Sequence, residues 1–275
     1  MKLNFIKANP TENMTIFISD SLPRSIYSEV ANKLMNYNSL CGEQVGFIEK
    51  PTTPGSYARL HMMGGEFCGN ASRAFAALLV QKDPTGFQRQ EGAYLVPIEV
   101  SGSEDVLWAQ VREVADHLFD VKIKLPLFLS ATPFETHYNG VHYDGFLVEF
   151  EGIAHAVLFA GNELPDEGLL RHIVKDREPL SSSAFGVMFY KEIDNFMTPL
   201  VYVKDTDSVV LERSCGTGTA ALGVAMSLMA KSSINRVIAQ PGGNLEILTD
   251  FRDGVISEIH LRGEVSLVAE GQVQI

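Results

Sequence analysis

The chain has 275 residues, 45% hydrophobic and 20% charged, a globular composition with enough apolar material for one large core or two ordinary ones. Lys plus Arg total 22 against 34 Asp plus Glu, a net charge of -12, which excludes a general attraction to nucleic acid or an anionic membrane and leaves a small molecule as the expected partner. Three cysteines, at 41, 68 and 215, make a disulfide framework implausible and predict a reducing, cytoplasmic setting with thiols available for chemistry.

In chain order, residues 1–10 predict a strand and not a secretory leader, because their apolar run is brief and ends at Asn9-Pro10. Further strands are predicted at 15–19, 45–48, 94–100, 106–112, 121–123, 145–150, 156–159, 186–190, 200–203, 209–211, 245–248, 255–261 and 264–269. Turn residues punctuate them at Asp83-Pro84-Thr85-Gly86, Pro133, Tyr138-Asn139-Gly140 and Pro241-Gly242-Gly243. Helices are predicted at 22–36, 71–81, 165–175 and 219–231. Two of these, around Ala74-Phe75-Ala76-Ala77-Leu78-Leu79-Val80 and Ala220-Ala221-Leu222-Gly223-Val224-Ala225-Met226, are apolar on every face yet too short to cross a membrane, so other elements must wrap them. The expected fold is α+β: two pseudo-symmetric domains, each a curved mixed sheet around a central apolar helix.

A short repeat supports that symmetry. Phe67-Cys68-Gly69-Asn70-Ala71-Ser72-Arg73-Ala74 and Ser214-Cys215-Gly216-Thr217-Gly218-Thr219-Ala220-Ala221 share a Cys-Gly opening, small polar residues and then an apolar helix. The domains are expected at 1–130, completed by a C-terminal strand at 263–275, and at 131–262.

A cysteine ahead of a helix sits at the positive end of the macrodipole, which favours thiolate and is expected to lower its pKa from ~8.5 toward neutrality. The glycine and small residues after it leave helix-start N–H groups that suit a carboxylate. Two such sites facing one substrate would place a base on one face of an amino acid's α-carbon and an acid on the other, with no metal or cofactor needed. A lone Cys-Gly before an apolar helix is more often a buried thiol, and Cys41-Gly42, followed by Glu43-Gln44-Val45, is read as structural; the duplication is what points to chemistry. Gly216-Thr217-Gly218-Thr219-Ala220-Ala221 also matches a dinucleotide fingerprint, but no Asp or Glu occurs from Arg213 through Leu245 to hold a ribose. The seven histidines, at 61, 117, 137, 142, 155, 172 and 260, are scattered, so no metal site is expected, and His61 and His260 read as structural.

At these motifs the sequence resembles the diaminopimelate epimerase superfamily of cofactor-independent racemases over its whole length. The resemblance runs through Phe5-Ile6-Lys7, Asn13, Ile16-Phe17-Ile18, Glu43-Gln44-Val45, the two Cys-Gly motifs, Ala154-His155-Ala156-Val157 and Val268-Ala269-Glu270-Gly271. It implies Cys68 and Cys215 as the acid–base pair in a cleft. It also implies substrate contacts from Asn13, Gln44 and His155 and from the N–H groups of Gly69, Asn70, Gly216 and Thr217, with Glu212 a candidate for the substrate ammonium. Departures lie where that superfamily holds a distal amino acid centre: Met62 stands near an expected Asn, Ile153-Ala154 replaces Asn-Pro, and the stretch before the second cysteine is compressed to Leu211-Glu212-Arg213-Ser214. Together with Asn9-Pro10 and Cys41–Glu49, these are most similar to the histidine racemases of opine-metallophore biosynthesis, which makes L-histidine the expected substrate and a homodimer compatible. Diaminopimelate epimerase, or a racemase of another amino acid, is the alternative. A non-catalytic amino-acid-binding protein or a dithiol redox protein is the alternative of another class; the missing C-x-x-C weighs against redox chemistry.

Overall fold

The structure is a computed structural model that describes residues 1–159, 165–177, 182, 184–204 and 207–275. It divides into two compact units, Met1–Leu125 with Arg262–Ile275, and Pro126–Leu261. Both are strand-rich α+β.

In the first unit, Lys2–Asn9 pairs antiparallel with Thr15–Ile18 and with the end of the last strand, where Lys2 faces Gln274. Thr15–Ile18 runs parallel to Gln44–Glu49, a register that sets Gln44 beside Thr15. From there the sheet continues through Ala58–Met62, Ala93–Val100, Leu107–Ala115 and Leu118–Leu125. Helix α1 (Tyr27–Met35) buries Tyr27, Val30, Ala31 and Leu34 against Gln44–Glu49. Helix α2 (Gly69–Lys82) is buried continuously from Gly69 to Val80, packed on the strands Thr15–Ile18, Ala93–Val100, Leu107–Ala115 and Leu118–Leu125. Fully burying a Leu, Val or Phe side chain contributes about 1.5–3 kcal/mol, so this packing holds α2 in place.

In the second unit, Ser130–Tyr138, Val141–Phe150 and Ile153–Phe159 form an antiparallel meander. The first turn has Asn139 at φ 50° and Gly140 at φ 78°, as a two-residue hairpin loop requires. Ile153–Phe159 then runs parallel to Ala184–Lys191, with helix α3 (Glu167–Asp176) in the intervening segment; its apolar face joins Leu169, Leu170, Ile173 and Val174 to the core. Phe196–Val203, Ser208–Leu211, Ile234–Gln240 and Gly243–Arg252 complete the unit. Helix α4 (Gly216–Ala230) is buried at nearly every position from Gly216 to Ser227 and packs on Val141–Phe150, Ile153–Phe159, Ala184–Lys191, Ile234–Gln240 and Gly243–Arg252. Among the described residues no helix is long and apolar enough to cross a membrane.

Both apolar helices are thus wrapped by strands, as expected of an α+β fold. Three sequence expectations are corrected. Pro133 lies inside Ser130–Tyr138 and does not mark a turn. The two strands expected at 255–261 and 264–269 are one strand, Val255–Gln274, which Gly263 does not interrupt. The helix expected from residue 22 begins instead as a 3-10 turn, Arg24–Ile26, before α1.

Gly145 shows how tightly the meander is drawn. A Cβ there would lie 1.8 Å from the carbonyl oxygen of Val157, a backbone atom that cannot give way. Gly145→Ala is therefore expected to lower stability by about 2–3 kcal/mol in urea unfolding; a change below about 0.5 kcal/mol would contradict the pairing of Gly145 with Leu158.

Candidate functional site

Each unit carries one Cys-Gly motif, built on the N-terminus of its apolar helix. In the first, Cys68 is the N-cap of α2, with extended backbone at φ -133° and ψ 112°. Its sulfur accepts a hydrogen bond from the Ala71 N–H at 3.4 Å, and its carbonyl accepts from both the N–H (2.9 Å) and the hydroxyl (2.7 Å) of Ser72. In the second, Cys215 caps α4 with φ -124° and ψ 111°. Its sulfur accepts from the Gly218 N–H at 3.3 Å, and its carbonyl from the N–H (2.9 Å) and hydroxyl (2.6 Å) of Thr219. The two motifs therefore share a local geometry as well as a sequence pattern. In both, a thiol occupies a position where Ser, Thr, Asp or Asn would cap better. The N–H groups that point out of these helix ends are those of Gly69 and Asn70 in one, Gly216 and Thr217 in the other.

Around Cys68 the first unit gathers a buried polar network. The Asn13 amide donates to Glu43 Oε2 at 2.8 Å, while its Oδ1 accepts from Gln44 Nε2 at 2.7 Å and from Asn70 Nδ2 at 3.3 Å. Gln44 also donates to Thr15 Oγ1 at 2.7 Å. Asn13, Gln44 and Asn70, all expected on sequence grounds, are thus brought together with one another. The loop that delivers Cys68 is fixed from behind: Ser101 donates to the Glu66 carbonyl at 2.8 Å, and a Cβ on Gly102, at φ +71°, would lie 2.3 Å from the Phe67 nitrogen. Arg73, fully buried, donates to Asn70 Oδ1 at 2.9 Å. Sequence reading missed Arg73, Ser101 and Gly102. The signal for Arg73 was a lone charge inside an apolar helix, which is far from the usual place for a solvated arginine.

Around Cys215 the partners differ. Gln240 accepts from the Cys215 N–H at 2.9 Å and donates to Thr219 Oγ1 at 2.8 Å, another pairing the sequence did not reveal. A Cβ on Gly218 would lie 2.2 Å from Met188 Sδ and 3.2 Å from the Cys215 sulfur, so only glycine lets the thiol sit over that N–H. His155, at 0% exposure, is set behind the helix end: its Nε2 lies 3.0 Å from Thr217 Oγ1, and Gly186 leaves its ring room. Glu212, half-buried, has its carboxylate against the Cys215 thiol. Cys41 is exposed, with its backbone at φ 51° and its carbonyl accepting from Lys7 Nζ.

The protonation states correct one expectation. Burial, foremost, and then the Glu212 charge push the Cys215 thiol well above the usual thiol range, against the Gly218 N–H and the Thr217 hydroxyl, which favour thiolate. Cys215 therefore rests as a thiol: the helix end does not lower its pKa to neutrality, because a dry setting penalises the anion more than one helix terminus stabilises it. Burial also depresses His155 to about 3, so its imidazole is neutral at physiological pH. Among the described residues no group of three His, Cys, Asp or Glu is placed to hold a metal ion.

A depressed histidine makes stability fall with acid. An unfolded chain takes up the proton near the ordinary value of about 6.5, whereas folded His155 takes it up only near 3, so the contribution is intact above that upper value and lost as pH drops between the two. Denaturant stability measured between pH 6 and 4.5 should fall by about 1.4 kcal/mol per unit from this residue alone. In His155→Gln the slope should be shallower by that amount; an unchanged slope would show that His155 titrates normally.

Comparison with known proteins identifies the family of the chain. The family model described as the histidine racemase CntK N-terminal domain matches residues 2–274. A histidine racemase from Fusobacterium nucleatum subsp. nucleatum is 37% identical over 99% of this chain and 97% of its own. A histidine racemase from Staphylococcus aureus is 27% identical over 99% and 98%. Among solved structures, a hydroxyproline epimerase from Agrobacterium vitis shares the fold with a TM-score of 0.70 at 12% identity, covering 99% of this chain and 92% of that one. The chain belongs to the histidine racemase CntK N-terminal domain family, and it is an isomerase of the amino acid racemase and epimerase class.

Proposed function

We propose that the chain racemises histidine, L to D and back, by two-base proton transfer between Cys68 and Cys215 on opposite faces of the α-carbon. The observation that supports this is the duplicated cap. Each thiol takes a hydrogen bond from a helix N-terminal N–H, and each carbonyl is pinned by the hydroxyl of the fourth residue on. Two elaborated sulfur caps are an expensive way to start two helices unless both sulfurs react.

The step balances within the two thiols and the substrate. A thiolate takes the α-proton; the C–H bond breaks, its electron pair stays on the α-carbon, and the negative charge spreads toward the substrate carboxylate. The opposite thiol then gives its proton to the other face, leaving the inverted amino acid and the two sulfurs with exchanged protonation. Cys215, held as a thiol, enters as the donor and Cys68 as the acceptor. Glu212 against the Cys215 thiol offers a proton acceptor for the opposite direction. The α-proton is very weakly acidic, so the growing charge needs fixed donors; the N–H groups of Gly69, Asn70, Gly216 and Thr217 fill that role. Asn13 and Gln44 bound the amino acid on the first unit's side, while His155 acts through Thr217 and so orients the cradle.

Histidine is favoured by the relatives' activity and by what the site lacks. By the resemblance, Met62 and Ile153 stand where a distal amino acid centre, as in diaminopimelate, needs hydrogen-bond partners, and neither side chain can supply one to a carboxylate that loses its hydration. A neutral imidazole makes no such demand.

With L-amino acids in buffered heavy water, L-histidine should acquire α-deuterium and racemise with kcat/KM at least about 100-fold above that of diaminopimelate. Cys68→Ala and Cys215→Ala should each reduce racemisation about 1,000-fold or more with the far-UV spectrum retained. Efficient turnover of diaminopimelate would overturn the substrate alone. A cysteine variant near full activity would overturn the mechanism.

A further inference from the structure

Arg73 is buried, 0% exposed, on the same helix as Cys68 and five residues beyond it, and no step of the reaction uses it. A guanidinium without solvent is costly unless its donors are used. Here the two terminal nitrogens are used, two of their contacts on side chains of the first motif's network, while the buried Nε has no hydrogen-bond partner. One terminal nitrogen donates to Asn70 Oδ1 at 2.9 Å and reaches Thr11 Oγ1 at 3.4 Å; the other reaches the Glu264 carbonyl at 3.4 Å.

Both side-chain contacts lead into the Asn13–Asn70–Gln44 network, which the proposed function assigns to the substrate. Fixing Oδ1 of Asn70 toward Arg73 forces its amide nitrogen the other way, onto Asn13. Thr11 lies in the turn that presents Asn13, where the Asn13 N–H returns to the Pro10 carbonyl at 3.3 Å. Thr11 and Glu12 adopt φ 59° and 56°, left-handed backbone that a β-branched threonine rarely tolerates. Strain of this kind costs of order 1–3 kcal/mol and persists only where surrounding contacts hold it. The Glu12 N–H on Asn9 Oδ1 and the Arg73 contact to Thr11 are two such holds.

We propose that Arg73 is the positioning residue of the first half-site: through Asn70 and the Thr11 turn, one buried guanidinium sets the orientation of Asn13, Asn70 and Gln44 toward the substrate. The planar fork is what the role requires, since a lysine ammonium is a point donor that cannot reproduce bonds from two nitrogens at fixed angles. The titratable groups that act on it are Cys68 and Asp120, the latter in an ion pair with Arg262 at 2.6 Å. Burial lowers the Arg73 guanidinium only to about 10, so it stays charged at neutral pH.

The KM effect rests on the histidine racemase reading, but the primary readout does not. In nitrogen-15-labelled full-length protein without substrate, the side-chain amide signals of Asn13, Asn70 and Gln44 report the network directly. In Arg73→Lys these signals should shift and exchange with water about tenfold faster or more. Thr11→Gly, which suits the positive φ but deletes the hydroxyl, should move the Asn13 signal most and leave the fold intact. With L-histidine, Arg73→Lys should raise KM about tenfold while kcat changes less than about threefold, the split expected of lost ground-state positioning. Amide signals unchanged in both variants would overturn the proposal even if the protein proves to act on another amino acid. Unchanged KM alongside shifted amides would also overturn it, reducing Arg73 to a packing residue; absence of histidine turnover by the wild type would instead count against the racemase reading, with the amides still deciding Arg73.

Discussion

The structure turns on a sulfur placed where a helix wants an oxygen. An N-cap serves to satisfy the first N–H groups, and a thiol does this poorly, yet the chain uses one at the head of both α2 and α4. The compensation is visible around it. Ser72 and Thr219 donate through their hydroxyls to the cysteine carbonyls, and both helices are held by burial along almost their whole length, so neither depends on its cap. A helix anchored by apolar packing can leave its N-terminal dipole and N–H groups for another purpose.

The two halves serve that purpose differently. Around Cys68 the supporting groups are amides and a buried arginine, tied together as Arg73, Asn70, Asn13, Gln44 and Thr15. Around Cys215 they are Gln240 on the backbone, His155 behind Thr217, and Glu212 on the thiol. The first network holds a buried guanidinium together with amides and the Glu43 carboxylate, whereas the second holds the Glu212 carboxylate and a neutral imidazole. The proposed mechanism asks these different surroundings to leave a base at one sulfur and an acid at the other.

Much of this was legible in the sequence. All-apolar helices opened by Cys-Gly had to be wrapped by other elements, and Tyr138-Asn139-Gly140 marked a turn. Ala58–Met62 escaped notice because Arg59 and His61 interrupt a five-residue run, although they alternate with buried Ala58, Leu60 and Met62. Ser130–Tyr138 was hidden by Pro133, which reads as a breaker. The site's supporting residues were hardest to foresee. Gln240 lies 25 residues from Cys215 and Ser101 lies 35 from Glu66, so neither spacing is set by a helix or strand period. The thiol state of Cys215 depends on burial, a tertiary property that a local motif cannot express.

The central claim is that the proton removed and the proton returned pass through different sulfurs. It is tested most directly by starting from each pure enantiomer of histidine in heavy water and following optical rotation together with deuterium at the α-carbon during early turnover. Two separate bases predict that newly formed product carries α-deuterium while unreacted substrate retains α-protium, from either enantiomer. The rotation should also overshoot zero before settling there. Product that retains the substrate's own α-proton would show one group serving both faces and would contradict the account.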